Sequence, residues 1–313
     1  MTGTRRNPGR FTPRRGGGGT LKLSQELLRA VSLLEISARR NITSLLVGNY
    51  RSSFRGSGMQ FKEFRHYEPG DDIRHMSWSV TARTRRATLK TYEEERDLDV
   101  ILLVDVSGSS LFGSRKKRKV DMYVDLVALV GLAAAKSGDN FGLLLFNDRP
   151  TFFLPPARGR EHVITGIDQI LKQGFQGAKS QLGPALRYVG GALHHRSVVV
   201  IVSDFLMPSF DRELAIVAKR HEILMLHCFD DAERGVSMDG VYEIRDPETG
   251  EFFLLDANSA HTRKVLAEYQ LGLTHRLEEL CRKSRADFLS LSVEDDYLKR
   301  MVHFFNQRDA VGR

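Results

Sequence analysis

Five apolar residues, Val100-Ile-Leu-Leu-Val104, run straight into Asp105, and Ser107 and Ser109 follow at alternate positions. A continuous apolar run bounded by polar residues predicts a strand buried on both faces, as in parallel sheets covered by helices. Its terminal carboxylate then lies on the carboxyl edge of the sheet, where open α/β folds place their ligands. Asp-x-Ser-x-Ser offers one carboxylate and two hydroxyls on a tight loop. Such hard oxygen donors suit Mg2+ or Mn2+ and suit softer metals poorly.

A second run, Val198-Val-Val-Ile-Val202, leads through Ser203 into Asp204. Two such strands in one parallel sheet put Asp105 and Asp204 on the same edge, where a cation between them relieves their repulsion. Ser180 precedes a helical stretch containing Ala185 and Leu186, and its hydroxyl is a further candidate donor. The expected metal set is therefore Asp105, Ser107, Ser109, Ser180 and Asp204. Any one of these alone reads as a helix cap or a loop anchor. The triplet after one buried strand, with a carboxylate after another, points to an ion.

The rest of the chain sets these strands in an α/β pattern. Strands at 98–105, 141–146, 197–203 and 222–229 alternate with helices at 120–137, 159–172, 181–194 and 210–219. That alternation predicts a mostly parallel sheet flanked by helices. A short strand at 151–154 follows the turn Asn147-Asp148-Arg149-Pro150 and is expected to pair antiparallel at an edge. Residues 239–256 read as an inserted hairpin, followed by a helix at 259–285, a strand at 287–291 and a helix at 294–306. Upstream, 1–20 reads as a disordered basic tail. Residues 21–47 read as a helix, and 50–97 as short strands and turns. The expected organisation is the tail at 1–20, a helix plus a β-rich region over 21–97, and the α/β domain over 98–308.

Charge argues less than its total suggests. Of the net +8, five charges are Arg5, Arg6, Arg10, Arg14 and Arg15 in the tail. The run Arg115-Lys-Lys-Arg-Lys119 reads as a solvated stretch before a helix, more than as a nucleic-acid contact. Cys228 and Cys281 form no metal or redox spacing and read as buried thiols in a reducing compartment. No apolar run reaches the roughly 18–20 residues that span a bilayer, and no secretory h-region follows the first arginines. The expectation is a soluble cytoplasmic protein. Gly174–Ser180 lacks the glycines of a phosphate loop.

These motifs also resemble a known family. The D-x-S-x-S spacing, the hydroxyl loop and the later Ser203-Asp204-Phe205 are similar to the ion site of von Willebrand A domains. Phe54-Arg-Gly-Ser-Gly-Met-Gln-Phe61, Arg65-His-Tyr67, Pro69-Gly-Asp-Asp-Ile-Arg74, Trp78 and Thr81-Ala-Arg83 resemble the signature of the bacterial family called domain of unknown function fifty-eight. Phe112-Gly113 and Gly138-Asp-Asn-Phe-Gly142 match it too. The resemblance covers about 21–308. It implies a von Willebrand A-like fold, no enzymatic activity, and work as an adaptor or chaperone-like partner of a MoxR-type AAA+ ATPase. It implies Ser107, Ser109 and Ser180 as direct Mg2+ ligands, Asp105 and Asp204 as direct or water-bridged ones, and an acidic side chain of the partner in the open position.

Two positions depart from the pattern: Ser180 replaces the usual Thr, and Ser77 stands where the family has Asp. Arg65, Tyr67, Asp71, Asp72, Arg74, Trp78 and Arg83 are candidate partner-binding residues, because Arg and aromatics anchor interfaces. The alternatives are a Mg2+-dependent phosphoryl-transfer or hydrolytic enzyme using Asp105, and a nucleic-acid binder using the tail.

Overall fold

The computed structural model describes residues 59–68, 71–94, 98–115, 117–172, 179–234, 240–245 and 251–311. The expected tail at 1–20, the helix at 21–47, the start of the signature at 54–58 and the hairpin turn at 246–250 lie outside them.

The apolar run forms β3 (Asp99–Asp105) at the middle of a six-stranded sheet. With β4 (Asn140–Phe146), β5 (Pro150–Ala157), β6 (Val198–Ser203), β7 (Glu222–Phe229) and β10 (Asp287–Ser292), the order is β10-β7-β6-β3-β4-β5. All neighbours are parallel except β5, which runs antiparallel to β4 at the edge, as expected from the turn before it. Counted within the sheet, this is the order 3-2-1-4-5-6 of a doubly wound fold, whose winding reverses between its first and fourth strands. Those strands are β3 and β6, the two that end at the candidate carboxylates. The architecture is the von Willebrand A-like α/β arrangement that the resemblance implied.

Helices cover both faces, which is why β3 is unbroken apolar between Asp99 and Asp105. Leu102 and Val104 pack in one cluster with Met122, Tyr123 and Leu126 of α2 (Lys119–Ser137) and with Val163 and Ile167 of α3 (Arg160–Lys172). Ile101 and Leu103 face the other cluster. It includes Leu182 and Leu186 of α4 (Leu182–Ala192), Leu214 of α5 (Asp211–Ala218) and Leu277 of α6 (Ala260–Ser284). Ile101 to Val104 are fully buried, and each such side chain contributes roughly 1.5–3 kcal/mol. The hairpin of β8 (Val241–Arg245) and β9 (Phe252–Asp256) and the final helix α7 (Tyr297–Val311) complete the described fold. No helix among the described residues is long and apolar enough to cross a membrane.

Two glycines set how α2 is placed. A Cβ on Gly131 would stand 2.7 Å from Val163 Cγ1 and 2.9 Å from Phe141 Cε2, so only Gly lets α2, α3 and β4 approach this closely. Gly138 ends α2 with φ 85° and returns its N–H to Ala134 and Ala135, a left-handed cap that Gly adopts without strain. Asp139 follows, nearly buried. Burial pushes its carboxyl up to about 6, against the Leu98 N–H that it accepts. Its folded value lies above the unfolded value of about 3.9. Its contribution to stability is therefore full below about pH 4 and is lost as pH rises through about 6. Asp139→Asn keeps an acceptor and cannot ionise. Thermal melts are expected to show wild type losing ground to the variant between about pH 4 and 6; parallel curves would refute the assignment.

The region at 50–97 differs from the strands and turns expected. β1 (Met59–His66) and β2 (Thr88–Glu94) pair antiparallel, but a helix, α1 (Trp78–Thr84), lies between them. Seven residues give too short a window for helical periodicity to emerge from the sequence.

Candidate metal centre

All five residues of the expected ion set lie at the carboxyl edge of the sheet, around the switch point between β3 and β6. Asp105 ends β3 and is 1% exposed. Its Oδ1 accepts the Ser107 N–H at 2.9 Å, which curls the loop back on the strand end. Its Oδ2 accepts the hydroxyls of Ser180 and Ser203, each at 2.7 Å. The loop is tightened further by Ser110, whose hydroxyl donates to the Ser107 carbonyl at 2.6 Å.

The Ser107 and Ser109 hydroxyl oxygens are 3.1 Å apart. Either hydroxyl can donate to the other, and each carries one proton and two lone pairs. Lone pairs remain on both oxygens. Neighbouring ligands of an octahedral Mg2+ with bonds of 2.0–2.1 Å are about 3 Å apart, so this spacing fits two ligands of one ion. Among the described residues no three His, Cys, Asp or Glu side chains gather into a metal cage. The donor set that fits is hydroxyl-rich, which suits a hard cation and no thiophilic metal.

Asp204 follows β6 and is 2% exposed. Its Oδ1 accepts the Leu206 N–H at 3.1 Å. Between them Phe205 is buried at φ 54°, a left-handed conformation that costs a bulky residue on the order of 1–3 kcal/mol. The Ser203 hydroxyl accepts the Phe205 N–H at 2.9 Å and so helps to hold that turn. The strained backbone sits directly beside the carboxylate that it aims.

The basic run contains the main surprise. Lys119 was expected in a solvated stretch; instead it opens α2 with no exposed surface. Its ammonium lies 2.7 Å from Asp204 Oδ2 and 2.7 Å from Glu233 Oε1. Ser114 of the same loop bonds Asp230 through its N–H at 2.8 Å and its hydroxyl at 2.6 Å. The run is thus stitched to the end of β7. Its first residue, Arg115, does stay exposed, against Glu294.

The surroundings of the two aspartates consequently shift their carboxyls in opposite directions. Burial raises Asp105, and the negative Asp204 raises it further; its hydroxyl partners offset only part of this. Burial would raise Asp204 as well, but the Lys119 ammonium outweighs it and holds that carboxyl below the usual range. Lys119 is lowered by burial and raised more by Asp204 and Glu233, so it stays charged. Nearby, burial pushes His227 down to about 4, and its ring stacks on Phe288. It is neutral near pH 7 and unsuited to general acid–base work there. Both oxygens of Asp105 are engaged and inaccessible, which is a poor arrangement for a nucleophile.

Lys119, Ser203 and Glu233 were not in the expected set. Lys119 was legible in one respect. It lies on the same helical stripe as Met122, Tyr123 and Leu126, which extends the buried face back by one turn. Glu233 sits in a short 3-10 turn, Asp231–Arg234, far from Lys119 in sequence, and nothing local marks it.

The candidate partner-binding residues lie on the unit made by β1, α1 and β2. Arg65 pairs with Asp71 at 2.6 Å, and Asp71 also accepts the Glu68 N–H. Asp72 accepts the Arg74 N–H and guanidinium. Trp78 is 69% exposed, Arg83 is exposed, and Tyr67 is half-buried. Ser77 is buried before α1 and does not cap it.

Comparison with known proteins places the chain among relatives. It is 30% identical over 295 residues to an uncharacterized protein of Mycobacterium tuberculosis (strain ATCC 25618 / H37Rv), covering 90% of each. Among solved structures it is similar to BatB from Bacteroides thetaiotaomicron, at 12% identity and TM-score 0.45, covering 68% of this chain and 99% of that one. It is also similar to the SpRpn10 VWA domain, at 14% identity and TM-score 0.41, covering 67% and 95%. The model of the family described as "Protein of unknown function DUF58" matches residues 63–275, and the chain belongs to that family.

Proposed function

We propose that the protein is a non-enzymatic interaction module whose binding depends on a divalent cation, Mg2+ or Mn2+, and that it serves a MoxR-type AAA+ ATPase as adaptor or chaperone-like partner. One observation carries the metal reading. Asp105 is a buried carboxylate with three neutral donors, and no cationic side chain among the described residues bonds it. A buried charge without a counter-charge is costly, and a cation beside Ser107 and Ser109 would supply one. Bound there, the ion would offer an open position to a carboxylate from the partner. In this reading Ser107 and Ser109 hold the ion, Asp105 and Ser180 orient the loop beneath it, and Asp204 offers it a carboxylate, direct or through water, from the second strand end. The ATPase partnership rests on the family resemblance.

The test is capture of a MoxR-type ATPase on the immobilised full chain, in Mg2+ and in EDTA, with wild type and Asp105→Asn. Capture is expected to fall at least about tenfold in EDTA and in the variant, the loss of roughly 1.4 kcal/mol of binding. Capture indifferent to both would contradict the reading.

A further inference from the structure

The two strand ends that carry the carboxylates differ in their surroundings. Asp105 is met by neutral donors only. Asp204 is met by the Ser109 hydroxyl, the Leu206 N–H and the fully buried Lys119 ammonium. That ammonium is itself fixed. Its helix begins with the Lys119 N–H donating to the Phe112 carbonyl at 2.9 Å. Its Nζ bridges Asp204 and Glu233, and the Phe112 ring lies 5.8 Å away. Glu233 is locked in turn, because its other oxygen accepts the Asp230 N–H at 2.9 Å. Asp105, Asp204 and Glu233, when ionised, bring three negative charges to a buried edge, and among the described residues Lys119 is the one side-chain cation bonded within the group. Its charge is sited on the Asp204 side, away from the bonds of Asp105.

We propose that Lys119 is a built-in counter-cation for the Asp204 half of this site, acting as a positioning residue. It holds the carboxyl-edge loops in place before any divalent ion arrives, and it weakens the hold on that ion by keeping Asp204 occupied. The inference rests on the ion-site reading and adds a determinant of its affinity. An ammonium tethered to the chain competes with the ion for one carboxylate. Removing it leaves Asp204 and Glu233 buried without a cation, a deficit that a divalent ion can repair.

The test uses full-length wild type, Lys119→Met and Lys119→Arg, with thermal melts in EDTA and in excess Mn2+, and Mn2+ affinity by calorimetry. Wild type is expected to keep its fold in EDTA. Lys119→Met is expected to melt on the order of 10 °C lower in EDTA, to regain at least half of that loss in Mn2+, and to bind Mn2+ about tenfold or more tighter than wild type. Lys119→Arg keeps the charge and is expected to follow wild type. Should Lys119→Met fail to fold, Lys119→Met/Glu233→Gln removes one carboxylate with the ammonium and is expected to show the same tightening. A loss of stability in Lys119→Met that Mn2+ does not relieve, or unchanged Mn2+ affinity in Lys119→Met or the double variant, overturns the inference while the ion site stands. Mn2+ binding by the variant but not by wild type means that Lys119 serves in place of the ion: the inference then stands and the divalent reading falls. If neither binds, both fall.

Discussion

Asp105→Asn is expected to melt roughly 5 °C above wild type in EDTA and to lose the stabilisation by Mn2+ altogether. The two effects have one cause. Burial and the neighbouring Asp204 both make the charged form of Asp105 costly. An amide of the same shape removes that cost. It keeps a carbonyl for the Ser107 N–H, and the Ser180 and Ser203 hydroxyls can rotate to accept from its amino group. What it cannot do is offer a charge to a cation. Differential melts with and without Mn2+ read both terms. A variant less stable than wild type in EDTA would mean that the carboxylate is already compensated and would remove the main support for an ion.

Asp204→Asn is expected to do the opposite, with a fall in Tm of about 10 °C that persists in EDTA. The substitution is chemically the same, and the residue again ends a buried parallel strand. The difference is Lys119. Asp204 accepts its ammonium at 2.7 Å, and both groups have almost no exposed surface. Neutralising one member strands the other beside a single carboxylate, Glu233, which burial already disfavours in its charged form. Breaking a buried pair from one side costs about 3–5 kcal/mol. Equal melting shifts for the two asparagine variants would show that the Lys119 bridge carries little energy. Asp105 and Asp204, one class of residue in the sequence, thus divide into a carboxylate kept for an ion and a carboxylate already engaged.

That division was the part of the site that the sequence did not carry. The strands were legible because burial on both faces demands unbroken apolar runs, so Val100–Val104 and Val198–Val202 were unmistakable and their terminal carboxylates stood out. The antiparallel edge strand and the hairpin were legible from turn residues. The strand order, which makes β3 and β6 neighbours, needed the fold. Ser203 was hidden because a polar residue at a strand end is ordinary, and its bond to Asp105 crosses between strands. Lys119 was hidden among four other basic residues whose charge suggests water, although its phase on α2 puts it on the buried stripe. Glu233 was hidden because its partner is contributed by a different loop. A cluster built from side chains far apart in sequence leaves no spacing to read.

The central claim is that the serine-rich edge beside Asp105 holds a divalent cation. It is tested most directly by titrating Mn2+ into the EDTA-stripped full chain and following the free-ion signal by electron paramagnetic resonance. The account predicts saturation near about one Mn2+ per chain, binding abolished in Asp105→Asn and weakened by about tenfold or more in Ser107→Ala. A wild-type chain that leaves the Mn2+ free, or that binds it no better than Asp105→Asn does, would contradict it.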